Sequence, residues 1–430
     1  MEVKPGYKMT EVGVIPEDWE VSCLGKELRE PIRNGYSPVC PSFETGIWTL
    51  SLSSVTMNGF DASGIKPAPL EDRKIYQFLL EEKDIVVSRS NTPDRVGLAG
   101  IYRGEPAPCS YPDLLMRVRV GNSLDPGYLL FCLLSFSGRR FFSENARGSS
   151  SSMVKIDRTI LESFPIPLPP TKSEQEAIAS TLSDVDVLIE SLEQLITKKR
   201  NIKQGAMQEL LTGKRRLPGF SGEWEEKSFG ELFEFSGGFT ASRDQLSCEG
   251  YCYLHYGDIH TSNKMFVDVT EEYQEIPKLG VEIGKVSRSS LLEDGDVVFV
   301  DASEDEDGVS RYVVVVNPAK VPFISGLHTI VSKVKGDCFD NLYKRYCFQS
   351  ERIKRQFRFY AVGTKVSGIN KKSICKISIP IPKFEEQVAI GAILNNMDAE
   401  LAAIEVKLSK ARHLKQAMMQ ELLTGRIRLV

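Results

Sequence analysis

The sequence predicts an α+β protein built twice over: two mixed α/β modules, each followed by a long helix, the two helices pairing antiparallel as a coiled coil about a pseudo-two-fold axis. Three observations carry this. Gln208–Leu217 (QELLTGKRRL) recurs as Gln420–Leu429 (QELLTGRIRL), an offset of 212 residues. Carried upstream without a gap, Glu174–Leu217 matches Glu386–Leu429 at 20 of 44 positions, so the chain is a tandem duplication. Apolar residues ahead of each copy recur at alternating steps of three and four, whereas the remaining stretches hold short β-rich runs between Gly, Pro, Asn and Asp.

The elements follow in chain order. The first module, residues 1–170, opens with Asp18-Trp-Glu and Leu24-Gly; the second, 218–383, opens with Glu223-Trp-Glu and Phe229-Gly. Asp84–Ser88, Leu115–Val120, Asp296–Val300 and Tyr312–Val316 read as strands, and the apolar stretches Tyr128–Phe142 and Asn341–Phe359 as helices. Ile166-Pro-Leu-Pro169 and Ile379-Pro-Ile-Pro382 end the modules. Segments 171–217 and 384–430 then read as helices, from Ser173 to Thr212 and from Glu385 to Thr424, each roughly 60 Å long. Ile178, Leu182, Val185, Ile189, Leu192 and Ile196 form the pairing seam of the first, and Ile390, Leu394, Met397, Leu401, Ile404 and Leu408 that of the second. Ser173 with Glu176 fits a capping box, and Gly213 and Gly425 stand where C-terminal caps belong. Lys199 and Lys203 fall on the first seam, which argues for looser pairing toward that end.

Composition excludes several classes. With 41% hydrophobic and 26% charged residues and a net charge of -4, the chain is neither disordered nor an overall polycation, although a local basic surface is still allowed. The longest apolar run, Tyr128–Phe136, is too short to span a bilayer, and the start lacks a signal-peptide core, so a cytoplasmic protein is expected. Nine scattered cysteines point to reduced thiols. There is no phosphate-binding or dinucleotide-binding glycine motif. Cys248, Cys252, His255 and His260 have loosely metal-like spacing in an apolar aromatic stretch, and core cysteines are the better explanation. Neither a catalytic constellation nor a metal site is therefore expected.

What remains is basic residues placed alike in both halves. Arg139 and Arg140, with Arg147, Lys155 and Arg158 beyond, face Arg352 and Arg355, with Lys365, Lys371, Lys372 and Lys376 beyond. Such segregation in otherwise acidic modules points to phosphate contacts. For base reading, the loops after matched strands are the candidates: Ser88–Arg95, with Arg89, Asn91 and Arg95, and Asp301–Gly308, with Ser303 and then Arg311. Arg and Asn bond in pairs to guanine and adenine edges, and acidic side chains accept from the cytosine amino group. The acidic run Glu304–Asp307 suits that last role or orders the loop.

The set Trp19-Glu-x-x-x-Leu-Gly, Ile-Pro-Leu-Pro before Glu174-Gln-x-Ala-Ile, and a heptad segment closing in Gln-Glu-Leu-Leu-Thr-Gly, all repeated once, resembles the specificity subunit of type I restriction-modification systems. The resemblance spans the whole chain. It implies two target recognition domains, each reading half of a bipartite asymmetric site in double-stranded DNA, and two conserved spacer helices that dock two methyltransferase subunits and, through them, restriction subunits. It also implies no catalysis by the chain itself, with S-adenosylmethionine, ATP and magnesium held by the partners. The alternatives are a coiled-coil scaffold whose modules bind protein ligands, and the specificity half of a split system with a nuclease partner of another type.

Overall fold

The computed structural model of the 430-residue chain describes all residues except 1–3, 151–152, 263, 305–307, 364–365 and 430. It resolves into two compact units, Met1–Gln194 with Glu405–Val430, and Leu195–Ile404.

The centre of the first unit is an antiparallel sheet in the order Ala99–Ile101, Ile85–Ser88, Leu115–Val120, Leu28–Asn34. Strand Ile85–Ser88 is buried throughout because its two faces serve two cores: Ile85 and Val87 pack with Leu129, Leu133 and Phe142, while Val86 packs with Phe78, Tyr102 and Tyr111. A run without polar alternation is what such a strand requires. The module's ends meet where Glu20–Cys23 pairs antiparallel with Pro165–Leu168. Its core is completed by Ile178 and Leu182 of the first long helix and by Leu422, which ends the second, with Leu423 just beyond it, around the buried Trp19.

The second unit repeats the plan. Its sheet runs Phe233–Gly237, Thr329–Val334, Val297–Val300, Tyr312–Val316, with a fifth strand, Phe266–Asp268, added parallel to the last. Glu225–Ser228 pairs with Ser378–Ile381 as the closing ribbon. Leu210, which ends the first long helix, Leu211 just beyond it, and Ile390 and Leu394 of the second enter a core centred on Phe229, Phe299, Phe348 and Phe357.

Three expectations need correction. Each apolar helical stretch is two helices: Pro126–Leu134 and Phe136–Asn145, then Asn341–Cys347 and Glu351–Tyr360. Ser135 makes the first break by capping the next helix, its hydroxyl accepting from the Gly138 amide at 3.1 Å. The long helices span Lys172–Leu210 and Phe384–Leu422, and Thr171 rather than Ser173 caps the first, its Oγ1 accepting from the Glu174 amide at 3.3 Å. Cys248 is exposed instead of lying in the core, although all nine cysteines are free. Gly213 and Gly425 take the left-handed φ of +69° and +67° that C-caps need.

Along the seam, Ile178, Leu182, Ile189, Ile196, Ile390, Leu394, Leu401 and Leu408 are buried, and Val185, Leu192, Met397 and Ile404 are half-buried. The two lysines on it do not loosen the pairing. Lys199 meets Glu400 at 2.7 Å, and Lys203 pairs with Asp398, which also accepts from the Tyr346 hydroxyl at 2.8 Å. In the first unit the repeat-equivalent residues pair likewise, Lys415 with Asp186 at 2.6 Å, and Arg412 reaches Glu193 at 2.6 Å. Within each unit, rising numbers on one helix thus meet falling numbers on the other, so the paired segments are antiparallel.

The repeated Glu-Gln and Arg-x-Leu ends explain themselves in the same way. The Arg428 guanidinium grips the Glu174 carboxylate with two donors and reaches Asp18 at 3.0 Å, above the Trp19 ring. In the second unit Arg216 grips Glu386 with two bonds of 2.7 Å above Trp224. Gln175 accepts from the Asp125 amide and donates to the Ser123 carbonyl; Gln387 accepts from the Asp340 amide and donates to the Cys338 and Pro382 carbonyls. Asp125 and Asp340 each cap a module helix, so every Gln ties a long helix to that cap.

Each sheet also carries a charge lock. Arg119 bonds Asp84 through two nitrogens and contacts Glu30 and Glu81; at the matching place Lys333 contacts Asp296 and Glu293. Lys344 is peculiar to the second unit, where the residue four past the Asp340 cap is buried against the Gly295 carbonyl. At the same place in the first unit stands Leu129.

Two expectations about stability follow from these contacts. Arg428→Ala strands Glu174, whose side chain is 1% exposed, and should cost roughly 3 kcal/mol in urea unfolding. Arg216→Ala should cost less, because Glu386 keeps the Trp224 Nε1 donor at 3.1 Å whereas Trp19 Nε1 has no partner among the described residues. Burial lowers the Lys344 amine to about 8, below its value of about 10.4 in an unfolded chain. The unfolded state therefore binds more protons between those values. Wild-type stability relative to Lys344→Met should rise as pH goes from about 8 to about 10 in paired denaturation curves, and a flat difference would refute the burial of the charge.

Candidate nucleic-acid interface

The end of one sheet strand builds the same corner in both units. In the first, strand Ile85–Ser88 runs into Arg89, whose amide donates to the Leu114 carbonyl at 2.8 Å and whose carbonyl accepts from Ile156 at 2.9 Å. In the second, strand Val297–Val300 runs into Asp301, whose amide donates to the His328 carbonyl at 3.2 Å and whose carbonyl accepts from Ile369 at 2.8 Å. Arg89 and Asp301 thus hold one backbone position with opposite charges.

Beyond the first corner, Ser90–Asn91 pairs with Met153–Lys155, which pairs in turn with Arg147–Ser150. This brings the loop and the distant basic segment together, although some sixty residues separate them in sequence. Arg89 and Lys155 make no ion pair among the described residues, Arg95 is exposed, and Arg147 lies 3.6 Å from Asp157. Asn91 turns inward: its amide donates to Ser88 Oγ at 3.4 Å and its Oδ1 accepts from the Thr92 amide at 2.9 Å. Arg139 is half-buried beneath the loop, donating to the Asp94 carbonyl at 3.1 Å and the Val96 carbonyl at 2.6 Å. Burial holds its guanidinium below the usual arginine range, against the pull of Asp94. Its neighbour Arg140 is exposed and paired with Glu144 at 2.7 Å on the same helix. Residues adjacent in sequence therefore do unlike things.

Beyond the second corner, Ala302–Ser303 pairs with Ser367–Gly368. Ser303 is 7% exposed, so its side chain is covered. Glu304 is exposed; the rest of the acidic run, and Lys365, lie outside the described residues. Arg311 is exposed and donates to the His260 carbonyl. Lys371 and Lys372 open the short helix Lys371–Ile374, exposed and without ion pairs among the described residues. Arg352 and Arg355 sit apart on the polar face of helix Glu351–Tyr360, paired with Glu226 and Glu351.

One group escaped the sequence reading. Three of the four histidines surround Tyr256: the rings of His255, His328 and His260 stand 4.5, 5.3 and 6.1 Å from it, centroid to centroid. His328 Nδ1 lies 3.2 Å from Asp301 Oδ1, and His260 Nε2 lies 3.4 Å from the Ala302 carbonyl. His255 and His260 drew notice only for metal-like spacing, and His328 joins them across 67 intervening residues. No group of three or more metal-ligating side chains occurs among the described residues.

A family profile for the type I restriction modification DNA specificity domain matches residues 16–199 and 221–411. The MjaX type I restriction enzyme specificity subunit of Methanocaldococcus jannaschii is 30% identical over 98% of this chain and 97% of its own length. The MjaVIII specificity subunit of the same organism is 24% identical over 96% and 94%. Among solved structures, the S subunit of a type I restriction-modification system from M. genitalium superposes with a TM-score of 0.55 at 16% identity, covering 98% of each chain.

The unlike environments of Arg139 and Arg140 are separable by experiment. Arg139→Ala removes two bonds to loop carbonyls, and should destabilise the first unit by about 2 kcal/mol while speeding amide exchange across residues 92–96. Arg140→Ala should leave both the unfolding midpoint and the exchange pattern unchanged. Equal effects from the two variants would contradict the placement.

Proposed function

Because the chain belongs to the type I restriction-modification DNA specificity family, and is thereby a DNA-specificity component and not an enzyme, we propose that each of its modules reads one half of a bipartite, asymmetric target in double-stranded DNA. One observation carries this reading: a single backbone corner is built twice and furnished differently, with Arg89 at the first and Asp301 with His328 at the second. A common frame with unlike side chains is what two unlike half-sites call for.

The recognition modules are residues 1–170 and 218–383, and the segments 171–217 and 384–430 are the spacers that dock two methyltransferase subunits and, through them, restriction subunits. S-adenosylmethionine, ATP and magnesium serve those partners in the cytoplasm. No described helix is long and apolar enough to cross a membrane. Exposed Arg95, Arg311, Lys371 and Lys372 supply phosphate or base contacts, while Arg139 acts through the loop it supports.

Replacing residues 18–160 by the corresponding module of another family member, in cells that also carry the methyltransferase partner, should change one half of the methylated motif and leave the other half intact. Sequencing the methylated positions reads this directly. A protein-binding scaffold would show no motif that follows the swap, and a change in both halves would contradict independent reading.

A further inference from the structure

We propose that His328, oriented by Asp301, reads a base edge in the second half-site, at the place Arg89 occupies for the first. This rests on the two-module reading above. The backbone bonds that fix the two corners match one for one, with Arg89 against Leu114 and Ile156 and Asp301 against His328 and Ile369. Aspartate at that position removes the fixed cation of the first module. An imidazole stands beside it instead.

His328 has the features of a side chain held for use. It is exposed, yet its backbone keeps a left-handed φ of +57°, which costs a non-glycine residue energy and persists where the surroundings enforce it. Those surroundings are the Asp301 carboxylate, the Tyr253 hydroxyl, which accepts from the Leu327 amide at 3.0 Å, and the edge of Tyr256. Beyond Tyr256 stand His255, His260 and the Arg243–Asp258 pair, with Arg311 fixed to the His260 carbonyl. With the Nδ1–H donating to the Asp301 carboxylate, the ring's rotation and tautomer are set. Nε2, which has no hydrogen-bond partner among the described residues, is then left to the ligand. Neutral, it accepts from the amino group of adenine or cytosine; protonated, it donates to guanine O6 or N7. Arginine at the first corner only donates.

The test uses the whole chain expressed with its methyltransferase partner, and sequencing of methylated positions. His328→Gly is the informative variant, since glycine tolerates the left-handed backbone while losing the imidazole. An unchanged unfolding midpoint shows that the fold is kept. It should relax one base position in one half of the motif, lowering discrimination there by about tenfold. Asp301→Ala should relax that same position, and the double variant should do no more than either alone, which a general loosening of the fold would not produce. Arg89→Ala should relax a position in the other half. A motif unchanged in His328→Gly would overturn the inference, and so would uniformly weaker methylation without degeneracy, which marks a backbone contact. A wild-type chain that directs no two-part motif would defeat the reading of function as well.

Discussion

The fold depends on an arginine reaching from the end of one long helix to a glutamate at the start of the other. Glu174 and Glu386 are buried, and a buried carboxylate is tolerable only if paired and hydrogen-bonded. Arg428 and Arg216 supply two donors each in the planar geometry a carboxylate fits. With these bonds made, Trp19 and Trp224 gain a cationic cover, the neighbouring Gln175 and Gln387 reach the module caps, and the seams are brought into register. Lysine in place of either arginine would keep the charge but lose the fork.

On that frame the modules have diverged where divergence is cheap. Strand order, closing ribbon, capped helix pair and charge lock are common to both units, whereas the side chains at the strand-end corner are not. The second unit adds a parallel edge strand, Phe266–Asp268, beside the segment that carries His255, Tyr256 and His260. Added backbone and an added cluster of imidazole and phenol rings thus arrive together. Most arginines of the basic clusters are spent on neighbouring carboxylates, so the unpaired cations lie nearer the corner than the sequence clusters imply.

What was legible in the sequence was whatever repeats or alternates. The heptad phase of Ile178 to Ile196 and of Ile390 to Leu408 identified the helices to within two residues at each end, since burial on one face forces that spacing. The strands Leu115–Val120 and Tyr312–Val316 were equally plain as short β-rich runs between turn residues. Contacts between residues distant in sequence left no such trace. Nothing in the neighbourhood of Arg139 says that it turns under a loop while Arg140 points to water, and nothing near His328 says that it meets Asp301. Lys199 and Lys203 misled for a related reason: a lysine on a seam reads as a fault until the carboxylate facing it is known.

The first unit is closed by residues 405–430, which are translated only after the whole of the second unit. Its own module is made first, yet Leu422, Leu423 and Arg428 are missing from its core until the second unit has been translated. At roughly 5–20 residues per second, the intervening 200 or so residues impose a wait of about 10–40 s. The second unit, Leu195–Ile404, has no such wait, for all its parts precede that stretch. Synthesis order and completion order are therefore reversed, and a chain cut short after the second unit would carry one finished unit and, in the other, an open apolar core, which is the kind of surface that chaperones and proteases recognise.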